Sequence, residues 1–280
     1  MRRYLAEFLS DPRVIPLPRF VWLPILHGIV LRTRPAKSAE KYKLIWTPLG
    51  SPLAVHTARQ TELLRPLLKD CRVEYAMRYG EPSIAAGLEK LKACRPITVV
   101  PLYPQYSVSA TQTVLDLAPG LPAVREFHAH PAYIAALAST VRNYWEANGR
   151  GEKLLMSFHG LPKRGAEEYE MQCRATALLL SRELNLKNGE WLVTFQSRFG
   201  FAKWLEPYTQ PTMEALARVG TKRVDVVCPG FVSDCLETLE EIAITANEAF
   251  VAAGGRELRV IPCLNEAPEW IEALASIASR

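Results

Sequence analysis

Leu154-Leu155-Met156-Ser157-Phe158-His159-Gly160-Leu161-Pro162 is a short apolar run that stops at a histidine, a glycine and a proline. A run of this length bounded by turn residues reads as a strand buried on both faces, the kind found in parallel sheets. Glycine permits unusual backbone angles and proline stops the strand. Comparable runs lie at residues 72–77, 97–102, 191–195, 223–227 and 258–261, with the quoted strand at 153–158. Helical patterns fall between and after them, at 83–93, 133–148, 169–184, 209–219, 236–253 and 268–278. This alternation predicts an α/β fold, a parallel sheet with helices on both faces. It occurs in two sets, so two similar halves, 1–132 and 133–280, are expected to face each other across a cleft. Such folds keep their chemistry at the carboxyl ends of the strands, where His159 sits.

The chain has 280 residues, 49% of them hydrophobic and 22% charged, enough to bury one large core or two medium ones without staples. A net charge of +5 favours anionic ligands or a membrane surface. The basic residues are scattered, which argues against nucleic acid as a partner. Cys71, Cys94, Cys173, Cys228, Cys235 and Cys263 form no C-x-x-C and match no zinc or iron–sulfur spacing, so a reducing, cytoplasmic compartment is expected. The longest apolar stretch, 20–31, is interrupted by Pro24 and His27 and is too short to span a bilayer. It reads as buried or as a lip of the site; a weak peripheral contact with the inner membrane face is the other reading. Dinucleotide, P-loop and nucleophile-elbow fingerprints are absent.

Four segments carry polar chemistry at strand ends. His159 can take a proton near neutral pH or bind a borderline metal, and it can equally be a hydrogen-bonded structural histidine. In the segment 226–241, Pro229-Gly230 leads into a helix expected to begin at Asp234. Asp234 and Glu237 match a capping box, a structural role. Glu237 and Glu241 are four apart and share a helix face, where like charges repel unless solvent, a proton or a metal relieves them. Tyr103-Pro104-Gln105-Tyr106-Ser107 offers aromatics for a flat ligand or for core packing. Gln196-Ser197-Arg198 follows another strand; Arg198 suits a carboxylate clamp or a surface ion pair.

Taken in order, these segments resemble the ferrochelatases. The family's Ser-x-His-Gly-x-Pro is matched by Ser157 to Pro162, and its Tyr-Pro-Gln-Tyr-Ser by Tyr103 to Ser107. Gln196, Ser197, Arg198, Gly200, Trp204 and Leu205 match a third motif, and Phe231 to Glu241 a fourth. Arg2-Arg3-Tyr4-Leu5 and Gly50-Ser51-Pro52-Leu53 extend the likeness upstream. The resemblance implies two Rossmann-like, chelatase-type domains and the insertion of Fe²⁺ into protoporphyrin IX, with two protons released. It implies that His159 and Glu237 hold the metal or handle pyrrole protons, with Glu241 behind Glu237. Tyr106, Ser107, Gln196, Ser197, Arg198 and Trp204 would contact the porphyrin. Iron is then substrate and no resident cofactor is implied; no cysteine-rich tail for an iron–sulfur cluster follows residue 261.

The sequence departs from the family at three places. The family's opening apolar strand and Leu-Gly-Thr-Pro-like turn are missing before the Arg-Arg-Tyr-Leu helix, so the amino-terminal sheet is expected to lack its first strand. Cys235 stands where some members carry His. Gly165-Ala166-Glu167-Glu168-Tyr169 replaces Gly-Asp-Pro-Tyr. Two rival readings are a related chelatase acting on cobalt or another tetrapyrrole, and a non-catalytic porphyrin or haem carrier. A carrier needs an aromatic cleft but no carboxylates opposite a histidine. The oligomeric state is not legible in the sequence.

Overall fold

A computed structural model describes residues 1–15, 17–199 and 202–279; Pro16, Gly200, Phe201 and Arg280 lie outside the described residues. Helices come first along the chain: α1 (Arg2–Leu9), α2 (Arg19–Ile25), a π-helix (Leu26–Val30), α3 (Leu31–Ile45), α4 (Pro52–Leu64), α5 (Ile84–Lys90), α6 (Thr111–Leu115) and α7 (Pro131–Asn148). The Ser83 hydroxyl accepts the Ala86 N–H and so starts α5. Pro131 opens α7, where its missing N–H costs nothing. The boundary expected at 132/133 thus falls in the first turn of α7.

The second half alternates as expected: β1 (Lys153–His159), α8 (Glu167–Glu183), β2 (Trp191–Gln196), α9 (Thr209–Arg218), β3 (Arg223–Val227), a second π-helix (Glu237–Ala246), α10 (Asn247–Ala252), β4 (Glu257–Val260) and α11 (Pro268–Ala278). The four strands are parallel, in the order β2-β1-β3-β4. β1 is central, which explains its unbroken apolar run. Leu154, Met156 and Phe158 pack on one face with Leu137, Cys173, Leu180 and Trp270; Leu155 packs on the other with Met213, Ile242 and Phe250. Full burial of each large apolar side chain contributes about 1.5–3 kcal/mol. β1 and β2 end together, His159 opposite Gln196, while β3 stops at Val227 opposite Met156; being parallel, all three turn their carboxyl ends to the same rim.

The first half differs from the expectation. Residues 72–77 and 97–102 run extended but form no ladder. They make isolated parallel bridges, Met77 with Ser83 and Val99 with Ala123. The Val99 N–H donates to the Pro122 carbonyl at 2.8 Å, and the Val124 N–H to the Val99 carbonyl at 2.9 Å. That pairing repeats the relation of β3 to β4. No described residue forms a strand between the two segments. The N–H groups of Val73 to Ala76 accordingly find no backbone acceptor among the described residues. An apolar run marks a segment fit for a strand, but a ladder needs a neighbour about 4.8 Å away.

The apolar stretch 20–31 is split between core and surface. Leu26 and Leu31 are buried, while Phe20, Val21, Ile25 and Ile29 are exposed. No helix among the described residues is long and apolar enough to cross a membrane.

Candidate active site at the carboxyl ends of the strands

His159 ends β1 and is half-buried. Its Nδ1 lies 2.6 Å from the Gly160 carbonyl. A carbonyl only accepts, so Nδ1 carries the proton and Nε2 keeps its lone pair for a proton or a metal. The backbone around it is tightly held. The Gly160 N–H donates to the Gln196 carbonyl at 2.8 Å, and the Tyr169 hydroxyl donates to the His159 carbonyl at 2.9 Å. A Cβ on Gly160 would come within 2.6 Å of the Gln196 carbonyl oxygen and 3.3 Å of the Trp204 ring. Only glycine fits there. Gly160→Ala is expected to destabilise the protein by about 1–3 kcal/mol, the cost of overpacking. Chemical denaturation measures it, and an unchanged midpoint would contradict the close approach.

The acidic helix starts later and winds wider than expected. It is a π-helix from Glu237, not an α-helix capped by Asp234. The Asp234 carboxylate is engaged elsewhere. It accepts from Asn265 Nδ2 at 2.7 Å and from the Thr238 hydroxyl at 2.9 Å. Asn265 Oδ1 in return accepts the Asp234 N–H at 2.9 Å. Gln60 of α4 donates to the Ser233 hydroxyl and the Asn265 carbonyl, tying the same turn to the first half. Further along, Lys41 of α3 grips the buried Glu240 carboxylate at 2.8 Å to each oxygen. Side chains from both halves thus hold the π-helix. Long π-helices are rare, and those that occur frequently mark functional sites.

Glu237 and Glu241 are half-buried on this helix. Burial pushes the Glu241 carboxyl above its ordinary range; bonds from Ser197, and His159 whenever it is protonated, pull it down, and Glu237 pushes it up. The register sets His159 opposite Gln196, and Gln196 and Ser197 bond the Glu237 carbonyl and the Glu241 carboxylate, so the β1 and β2 ends lie against the acidic helix. Ser197 bonds Glu241 twice, through its N–H and its Oγ, each at 2.6 Å. Gln196 is buried; its Nε2 donates to the Glu237 carbonyl at 2.8 Å and its Oε1 accepts from the Ser157 hydroxyl at 2.7 Å. Sequence reasoning missed two contributors from the first half. The hydroxyls of Tyr4 and Tyr42 both feel the charge of Glu237. Burial, then Glu237, pushes the Tyr42 hydroxyl up to about 12. Tyr103 is raised too, by burial first, with Glu237 adding to the rise. Arg2-Arg3-Tyr4-Leu5 was the one available signal for Tyr4; nothing local marked Tyr42.

The other expected site residues are placed as follows. Trp204 is buried against Gly160 and against Phe199, with ring centroids 4.9 Å apart, and its Nε1 has no partner among the described residues. Arg198 is exposed and lies over the Tyr208 ring, 4.7 Å from its centroid. Tyr106 donates to Gln112 at 2.9 Å and is covered by the Arg125 guanidinium at 3.5 Å. The Ser107 hydroxyl accepts the Ala110 N–H. The Tyr106 N–H crosses to the second half, donating to Gln172 Oε1 of α8 at 2.6 Å. Gly200 of the third motif lies outside the described residues. No three His, Cys, Asp or Glu side chains among the described residues form a closed metal cage.

The arrangement holds an open imidazole nitrogen within electrostatic reach of two half-buried carboxylates. It can neutralise a divalent cation and accept protons in the same space.

Comparison with known proteins fits this chemistry. A family model described as ferrochelatase matches residues 1–280. A ferrochelatase of Azoarcus sp. (strain BH72) is 55% identical over 292 residues, covering 98% of this chain and 80% of its own. One from Bordetella pertussis is 52% identical over 299 residues, covering 100% of this chain and 83% of its own. Among solved structures, CbiX, the terminal enzyme for siroheme biosynthesis in denitrifying bacteria, aligns over 82% of this chain and 93% of its own. The TM-score is 0.52 and the identity 16%, a likeness of fold.

Proposed function

The chain belongs to the ferrochelatase family, and from that premise we propose that His159 and the Glu237–Glu241 face carry out the reaction. The chain is a metal chelatase, a lyase that inserts Fe²⁺ into porphyrin. With protoporphyrin IX the product is protohaem. Each metal that enters displaces two pyrrole protons, so the site must handle a dication and two protons together. The observation that carries the reading is the free Nε2 of His159 beside a two-carboxylate helix face. His159 takes a pyrrole proton or presents the metal; Glu237 and Glu241 offset the charge of Fe²⁺ and lead protons away. A carboxyl raised by burial exchanges protons closer to neutral pH than an exposed one, which suits a relay. Iron is substrate here, and no resident cofactor enters the reaction.

The porphyrin lies between the two halves, with Tyr106, Ser107, Gln196, Ser197, Arg198 and Trp204 along its cleft. Support for Gln196 and Ser197 comes from their bonds to the acidic helix, and for Trp204 from its packing on the His159 turn. The six free cysteines support a reducing cytoplasm. Exposed Phe20, Val21, Ile25 and Ile29 beside Arg19 support weak contact with the inner membrane face. The test of substrate is a comparison of initial rates under anaerobic, reducing conditions. Fe²⁺ with protoporphyrin should give metalloporphyrin faster than Co²⁺ with a more heavily carboxylated tetrapyrrole. The reverse order would favour the related chelatase.

A further inference from the structure

The structure assigns Ser197 a role of its own, as the positioning residue that sets where the Glu241 carboxylate points. The assignment rests on the chelatase reading and goes beyond it, because it concerns the hydroxyl that grips the acid and not a contact with porphyrin.

Ser197 follows the last residue of β2 and takes φ of +64°. L residues other than glycine and asparagine seldom adopt this left-handed conformation, and such residues cluster where a site needs them. Here the unusual backbone has a clear consequence. It turns the Ser197 N–H toward Glu241 Oε1 while the side chain delivers Oγ to Oε2, each at 2.6 Å. One donor would fix a distance. Two donors, one on each oxygen, also fix the rotation of the carboxylate plane. The preceding residue completes the device. Gln196 donates to the Glu237 carbonyl, so the end of β2 holds the helix turn bearing one acid and the carboxylate of the other. Behind Gln196, a buried chain of hydroxyls keeps it in place. Ser157 bonds Gln196 at 2.7 Å and Thr209 at 2.8 Å, and Thr209 bonds Thr194 at 3.0 Å. β1 and β2 are joined along their whole length, and Ser197 carries that fixed frame to a side chain on a π-helix.

A pair of substitutions tests this. Ser197→Gly relieves the backbone and keeps the N–H but removes the hydroxyl; Ser197→Ala removes the same hydroxyl and keeps the unfavourable angle. If the hydroxyl positions Glu241, both variants lose about tenfold in kcat for zinc insertion, the size expected for one hydrogen bond to a charged group. In each variant the loss in kcat exceeds any rise in the porphyrin KM. Adding Ser197→Gly to Glu241→Gln then produces no further loss. Three results overturn the assignment: wild-type kcat in Ser197→Gly, a loss confined to KM, or losses that add in the double variant. Crystal structures separate this proposal from the chelatase reading. Glu241 held in the wild type and turned away in Ser197→Gly supports the grip even if the wild type fails to turn over. Glu241 unmoved in the variant rejects it.

Discussion

Replacing His159 with alanine is expected to lower metal insertion by about 10²–10⁴-fold, the range for loss of a positioned acid–base group. The reason lies in one tautomer. The Gly160 carbonyl takes the Nδ1 proton, which leaves Nε2 as an open acceptor at the end of the central strand. Alanine leaves nothing there to accept a pyrrole proton or present a metal. The cleft itself is built by other side chains, so porphyrin binding, followed by quenching of porphyrin fluorescence, should change little. Substantial turnover by the variant would remove His159 from the mechanism. Loss of binding in parallel with turnover would make it a structural residue.

Arg259→Met is expected to destabilise the fold by about 3–5 kcal/mol, the cost of leaving one member of a buried ion pair alone. Arg259 and Asp225 face each other across β4 and β3 and are almost fully buried. Arg259 Nε donates to Asp225 Oδ1 at 2.8 Å, and its two terminal nitrogens donate to the carbonyls of Asn148 and Gly149 at the end of α7. Asp225 Oδ2 accepts from Trp145 Nε1 at 2.7 Å and from the Gly151 N–H at 2.6 Å. Removing the arginine strands a buried carboxylate and uncaps a helix. Removing both charges, as in Asp225→Leu with Arg259→Met, should cost less than the single change, because no unpaired charge remains. Denaturant midpoints measure both. A single variant with the wild-type midpoint, or a double variant worse than the single, would contradict the account.

Local sequence patterns announced the second half well. Each of β1 to β4 shows a short apolar run between turn residues, and Gly160 and Pro162 marked the end at which His159 would sit. The same pattern over-reached at 72–77 and 97–102. Hydrophobicity reports what a segment can bury; it does not report whether another strand lies beside it. Asp234 failed for a related reason. Asp-x-x-Glu is a local capping pattern, but Asn265, thirty-one residues away, offered the stronger partner. Glu237 and Glu241 were readable as neighbours at a spacing of four. Their π-helix was not, because i→i+5 bonding leaves no side-chain signature that differs from an α-helix. Nor did Ser197 announce its left-handed backbone, since serine carries no bias toward it. Tyr4 and Tyr42 come to Glu237 only through folding of the first half over the second.

Turnover number tests the central claim most directly. The full chain, protoporphyrin in excess and Fe²⁺ under anaerobic, reducing conditions should produce many metalloporphyrins per polypeptide. Formation that stops at one per polypeptide, with the porphyrin retained, would contradict catalysis and identify a carrier.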